Sequence, residues 1–226
     1  MIISHKHKFI FIKTAKTAGS SIEIALSKIC GSRDIITYKE KESLGDLSKS
    51  IRQNVNIPFK YYSKKDWRKL LRERTRKQFK GHDSALSISQ NIDDHIWNNY
   101  YKFCFERNPY DKFISWYYWC GGPNRFGTMK NFIQSGIAGD VKGKSLYCID
   151  DKIVVDEIYK FEDIDSALSN LREVCSITDE IKMPKKKFKG VQRKDQRHYS
   201  EVLGDYEKEW ITKNYSFELE QFNYEF

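Results

Sequence analysis

The sequence predicts an α/β protein with a central, mostly parallel sheet covered by helices on both faces. Short apolar runs rich in aromatic and β-branched residues alternate with stretches of helical spacing. Two of these runs lead directly into a loop that opens a helix. The 226 residues suffice for one full core, so residues 1–226 are expected to form a single domain.

Taken in order, residues 8–13 enclose the run Phe-Ile-Phe-Ile, the composition of a strand buried on both faces. Residues 20–29 follow with helical spacing of Ile22, Ala25, Leu26 and Ile29. From 31 to about 58 the pattern dissolves into polar residues and reads as a surface excursion. Residues 64–79 predict a helix with Trp67, Leu70 and Leu71 on one side and a dense basic face on the other, stopped by Gly81 and His82.

Residues 100–105 form the second strand-like run. Asn108 then serves as cap and Pro109 as first residue of a helix that runs to about Cys120, where Gly121-Gly122-Pro123 ends it. Residues 153–161 read as a further core strand and 165–174 as a helix. A basic loop covers 183–197, and 199–226 predicts one or two amphipathic helices carrying Leu203, Tyr206, Trp210 and Ile211.

Lys and Arg total 40 against 31 Asp and Glu, a formal net charge of +9 that favours anionic partners such as nucleotides, acidic glycans or nucleic acid. The five cysteines lie far apart, without CxxC or zinc-site spacing, as expected of reduced thiols. The first apolar run is too short for a signal sequence or a membrane span, which gives a cytoplasmic expectation.

Ligands of such sheets gather at the carboxyl ends of the strands, and two loops there carry the chemistry. Lys13-Thr14-Ala15-Lys16-Thr17-Ala18-Gly19-Ser20-Ser21 joins strand to helix with small residues, so that backbone amides and the helix N-terminus can converge on an anion. Lys16 stands mid-loop, where its ammonium can neutralise charge on a leaving phosphate, and Thr17, Ser20 and Ser21 add hydroxyl donors. In the second loop Arg107 ends a strand and Ser115 lies nearly two turns into the following helix. An arginine fork suits a phosphate, although Asp111 is an equally near partner for it.

These segments resemble the donor-binding motifs of the sulfotransferases that use 3′-phosphoadenosine 5′-phosphosulfate, especially the carbohydrate branch. Ala15-Lys-Thr-Ala-Gly-Ser-Ser21 is similar to their first motif, with Ala15 in place of proline. Arg107-Asn-Pro-Tyr-Asp-Lys-Phe-Ile-Ser-Trp-Tyr117 is similar to their second, with Lys112 in place of arginine. The likeness extends to Tyr199-Ser-Glu-Val-Leu and to the closing Phe222-Asn-Tyr-Glu-Phe226, with a poorly matched middle.

The resemblance implies a P-loop-like three-layer fold, no metal, and sulfuryl transfer to an acceptor hydroxyl on a glycan or small molecule. By the same likeness the first loop, Lys13 to Ser21, binds the 5′-phosphosulfate with Lys16 stabilising the bridging oxygen, and Arg107 with Ser115 holds the 3′-phosphate. His82, in Gly81-His82, stands where that branch often carries its base, a role that suits a side chain whose unperturbed pKa is about 6.5; Glu106 is the alternative. Lys189, Arg193 and Arg197 in the basic loop are positional candidates for the 3′-phosphate. His5 and His7 are expected to precede the first strand in solvent, and Trp116, Tyr117, Tyr118 and Trp119 to divide between core and helix packing.

Two rival readings remain. A nucleotide kinase would use a phosphate loop and a magnesium-binding Asp156, but the loop lacks the order of GxxxxGK[ST]. A nucleic-acid-binding module would use the charge around residues 67–80.

Overall fold

The structure is a computed structural model and describes residues 1–38, 51–184 and 193–226. Its first half runs β1 (Ile2–Ser4), β2 (Phe9–Phe11), α1 (Gly19–Ser27), β3 (Ile35–Ile36), α2 (Lys64–Glu73), α3 (Ala85–Ser89), α4 (Asp94–Asn99), β4 (Tyr101–Glu106) and α5 (Pro109–Trp119). Then come α6 (Gly122–Phe126), α7 (Met129–Gln134), α8 (Lys144–Tyr147), the hairpin β5 (Cys148–Ile149) and β6 (Lys152–Ile153), β7 (Glu157–Lys160) and α9 (Ile164–Val174). Three helices close the chain: α10 (Tyr199–Val202), α11 (Asp205–Asn214) and α12 (Ser216–Phe222).

Among the described residues the central sheet has the order β3-β1-β2-β4-β7. β2, β4 and β7 pair in parallel, β1 pairs antiparallel with both its neighbours, and so four of the five strands run the same way. The sheet is flanked by helices on both faces, as the alternation of runs predicts. Alternate residues explain why the strands are apolar throughout. Phe9, Phe11, Phe103 and Phe105 pack with Ile22 and Leu26 of α1 and Leu168 and Leu171 of α9. Ile10, Ile12 and Cys104 face the other way, onto Phe79, Ala85, Ile88 and Tyr147. A third cluster joins Phe113, Ile114 and Tyr117 of α5 to Phe132, Ile211 and Leu219 of later helices.

Several boundaries differ from expectation. The antiparallel strand β1 was not foreseen. It places His5 and His7 in the turn after a strand, half-buried, with His5 Nδ1 3.0 Å from Tyr100 Oη and His7 Nε2 3.0 Å from the carbonyl of Ile29. The helix expected over 64–79 stops at Glu73, because Arg74 turns left-handed (φ 51°) and residues 77–79 hydrogen-bond to 55–57 instead. The strand expected over 153–161 is split between the hairpin and β7, and the C-terminal stretch breaks into three helices.

The start of α5 is as expected: the Asn108 side chain accepts from the Tyr110 N–H at 3.0 Å, with Pro109 in the first turn. All five cysteines are free thiols. No helix among the described residues is long and apolar enough to cross a membrane.

Candidate functional site

β2 and β4 are parallel neighbours, so the loops that leave them emerge side by side at one edge of the sheet. The first loop bends through two left-handed residues, Lys16 (φ 63°) and Ala18 (φ 54°). It delivers the chain into α1, which has neither a side-chain cap nor an acidic residue in its first turn. Within that first turn no carboxylate offsets the positive end of the helix dipole.

The first loop is tied down by hydroxyls. Thr14 donates to the Phe105 carbonyl at the end of β4, and its oxygen lies 2.9 Å from that of the fully buried Thr17. The Thr17 hydroxyl is therefore turned into the protein, away from the cavity.

The Lys13 stem lies across Gly19, where an added Cβ would come 2.7 Å from Lys13 Cγ. Its Nζ pairs with Glu23 and donates to Ser20 Oγ at 3.2 Å. Burial alone would raise the Glu23 carboxyl, but the Met1 amine at 2.5 Å and Lys13 outweigh it and hold the group below the usual range.

The two loops meet through Arg107. Its Nη1 donates to the Lys16 carbonyl at 3.1 Å, its Nε donates to Asp111 Oδ2 at 2.8 Å, and its Nη2 bonds the same oxygen. Arg193 pairs with the other oxygen of Asp111. One carboxylate therefore orients two guanidinium groups. Burial pushes Asp111 up, but the two cations prevail and hold it below the ordinary range. Arg107 also lies 4.4 Å from the ring centroid of Phe161, just beyond β7.

His82 reaches the same edge, with Nδ1 2.8 Å from the carbonyl oxygen of Lys13. A carbonyl only accepts, so Nδ1 carries the proton and the basic nitrogen of the neutral ring is Nε2. Lys16 Nζ lies 4.6 Å from the ring centroid of Trp119.

These groups surround a cavity of about 490 Å³. Its lining includes Lys13, Thr14, Lys16, Ala18, Gly19, Ser20, Ser21, His82, Arg107, Ser115 and Arg193. Thr17 and Arg197 do not line it; Arg197 is exposed and pairs with Asp195. Lys189 lies outside the described residues.

Glu106 is fully buried, bonds Lys112 Nζ at 2.8 Å and does not reach the cavity, so the alternative base is out of position. Sequence reasoning missed Phe161 and, in assigning residues 116–119 to core and helix packing, did not foresee that Trp116 and Trp119 line the cavity; Tyr117 is core. Phe161 follows β7, a parallel neighbour of β4, so the strand-end rule that found Arg107 also points to it. No characterised protein and no solved structure is significantly similar to the chain. Residues 1–225 match the sulfotransferase family, and the chain belongs to that family of sulfuryl-transferring enzymes.

Proposed function

We propose that the protein transfers the sulfuryl group of 3′-phosphoadenosine 5′-phosphosulfate to an acceptor hydroxyl, with a carbohydrate as the acceptor class, on a P-loop-like three-layer domain spanning residues 1–226. The observation that carries this reading is the convergence of two separate cationic groups on one cavity: Lys16 with the uncapped start of α1, and Arg107 with Arg193 and Ser115. A donor with two phosphate positions needs two such groups. The cavity volume lies within the roughly 300–1,000 Å³ of small-molecule sites. Arg107 has five N–H donors; among the described residues Asp111 and Lys16 engage three of them, which leaves two for an anion.

When bound, the donor would supply an electrophilic sulfur with a phosphate as leaving group. Lys16 and the α1 N-terminus offset charge as it grows on the departing oxygen. Ser20 and Ser21 offer hydroxyl donors from the first turn of α1, while Ser115 and the guanidinium groups hold the second phosphate. His82 takes the acceptor proton on Nε2 while Lys13 fixes the ring through Nδ1.

Titration calorimetry tests the donor reading. Adenosine 3′,5′-bisphosphate should bind tightly without magnesium, and preference for ATP with magnesium would overturn the assignment in favour of a kinase. The kinase reading has one structural difficulty. Asp156 stands before β7 rather than at its end, accepts the Lys102 N–H at 2.6 Å and is not in the cavity lining. Incubation with sulfur-labelled donor and polysaccharide, lipid and small-molecule extracts identifies the acceptor.

A further inference from the structure

One concentration of positive charge lies apart from the basic loop of residues 183–197. Residues 60–80 hold ten Lys and Arg against Asp66 and Glu73, a net of +8 within a chain of net +9, so the remaining residues carry only +1. None of residues 60–80 lines the cavity, so this charge does not serve the donor site.

The segment is built around α2, a helix with no buried residue. Its start is well made, with a reciprocal capping box between Ser63 and Asp66. Lys64, Arg68 and Arg72 recur every fourth residue and form one row along the helix. Trp67 and Leu71 form the adjoining row, also at i and i+4. They remain 42% and 80% exposed, and beside them Phe59 is 45% exposed with its ring 5.3 Å from that of Trp67. Arg76 lies 4.7 Å over the Phe59 ring and so edges the apolar row with another cation. Lys60 and Tyr61 fasten the segment to the rest of the molecule through Asp93, just before α4.

We propose that this face docks on the surface of an anionic phospholipid membrane. A cationic row beside an exposed apolar row is what an interfacial helix needs: the cations meet acidic headgroups, and the apolar side chains enter the boundary above the acyl chains. A nucleic acid or an acidic polysaccharide would use the cations but gain nothing from an exposed Leu71. A second copy of the chain is disfavoured because a two-fold contact would set +8 against +8. The docking is peripheral and separate from the donor cavity, so it stands whether or not the donor assignment does.

Co-sedimentation with vesicles at physiological salt tests it. The full chain should pellet with vesicles of equal parts phosphatidylcholine and phosphatidylserine and stay in solution with phosphatidylcholine alone. Tryptophan emission should shift to the blue on binding, and the shift should disappear in Trp67→Phe. Leu71→Ser keeps every charge and should reduce partition about tenfold, as expected for withdrawing one large apolar anchor. Arg68→Glu with Arg72→Glu should abolish it. Both variants change exposed residues, so melting temperature and bisphosphate binding should match the parent protein. Failure of the parent chain to bind the acidic vesicles overturns the proposal. So does a Leu71→Ser variant that binds vesicles unchanged while the parent binds DNA or heparin equally well, since the face would then be a polyanion site only.

Discussion

The imidazole of His82 and the backbone carbonyl of Lys13 lie within hydrogen-bonding distance, Nδ1 to O 2.8 Å, so the residue proposed as base is oriented by the loop proposed to hold the donor. His82→Gln should keep the fold but lower kcat by about 10²–10⁴ with little change in bisphosphate affinity, the usual loss for a general base. Steady-state kinetics beside calorimetry checks this, and unchanged turnover would remove His82 from the chemistry.

Lys16→Ala should abolish most turnover, by about 10²–10³ in kcat, while leaving the melting temperature within error, because the side chain lies in the cavity wall rather than the core. Lys16→Arg separates charge from shape. Partial recovery is expected, since the guanidinium keeps the charge and can still stack on Trp119.

Gly19→Ala places a methyl group 2.7 Å from Lys13 Cγ and 3.1 Å from Cε. Lys13 must then leave its place beside Glu23. Overpacking of this kind costs about 1–3 kcal/mol. Urea denaturation should report it, together with weaker bisphosphate binding as the loop shifts.

Asp111→Asn removes the carboxylate shared by Arg107 and Arg193. In the parent protein the folded pKa of Asp111 lies below the ordinary 3.8. Its stabilising contribution is therefore complete above that value and lost as pH falls through the lowered one. The variant should be less stable at neutral pH, and the difference should shrink as pH drops below about 4, the ordinary aspartate range. Thermal melts between neutral and acid pH give the curve, and a gap independent of pH would contradict the pairing.

Lys112→Met leaves Glu106 without its partner in a site where both side chains are 1% exposed. Breaking one half of a buried pair costs roughly 3 kcal/mol here, the low end of the usual range. Burial already raises the Glu106 carboxyl, so it can take up a proton in compensation. Lys112→Arg, the residue of the resembled motif, should be tolerated far better, as denaturation midpoints would show.

Much of the candidate site was legible because the chemistry proposed for it is local. Anion binding at a helix N-terminus requires small residues, hydroxyls and a lysine within one loop, and a helix start after a strand announces itself through Asn108 and Pro109. The strands β2 and β4 were equally plain, since burial on both faces demands an unbroken apolar run. Thr17 shows the limit of such reading. Its residue type suits a donor, but whether its hydroxyl faces the cavity or Thr14 depends on the dihedral angles of the loop.

By itself the sequence determined the alternation of strands and helices, the two strand-end loops and the cations in them, because these depend on composition and spacing along a few residues. Only the tertiary structure decided which distant groups share a space. β1 has three residues and is defined by its pairing with β2 and β3, and α2 stops at Glu73 because residues 77–79 find backbone partners at 55–57. Arg193 meets Asp111 across 82 positions of sequence, and Glu106 is withdrawn from the cavity by Lys112. Such contacts follow from the packing of the whole chain, where side-chain direction and long-range pairing are set together and leave no local pattern to read.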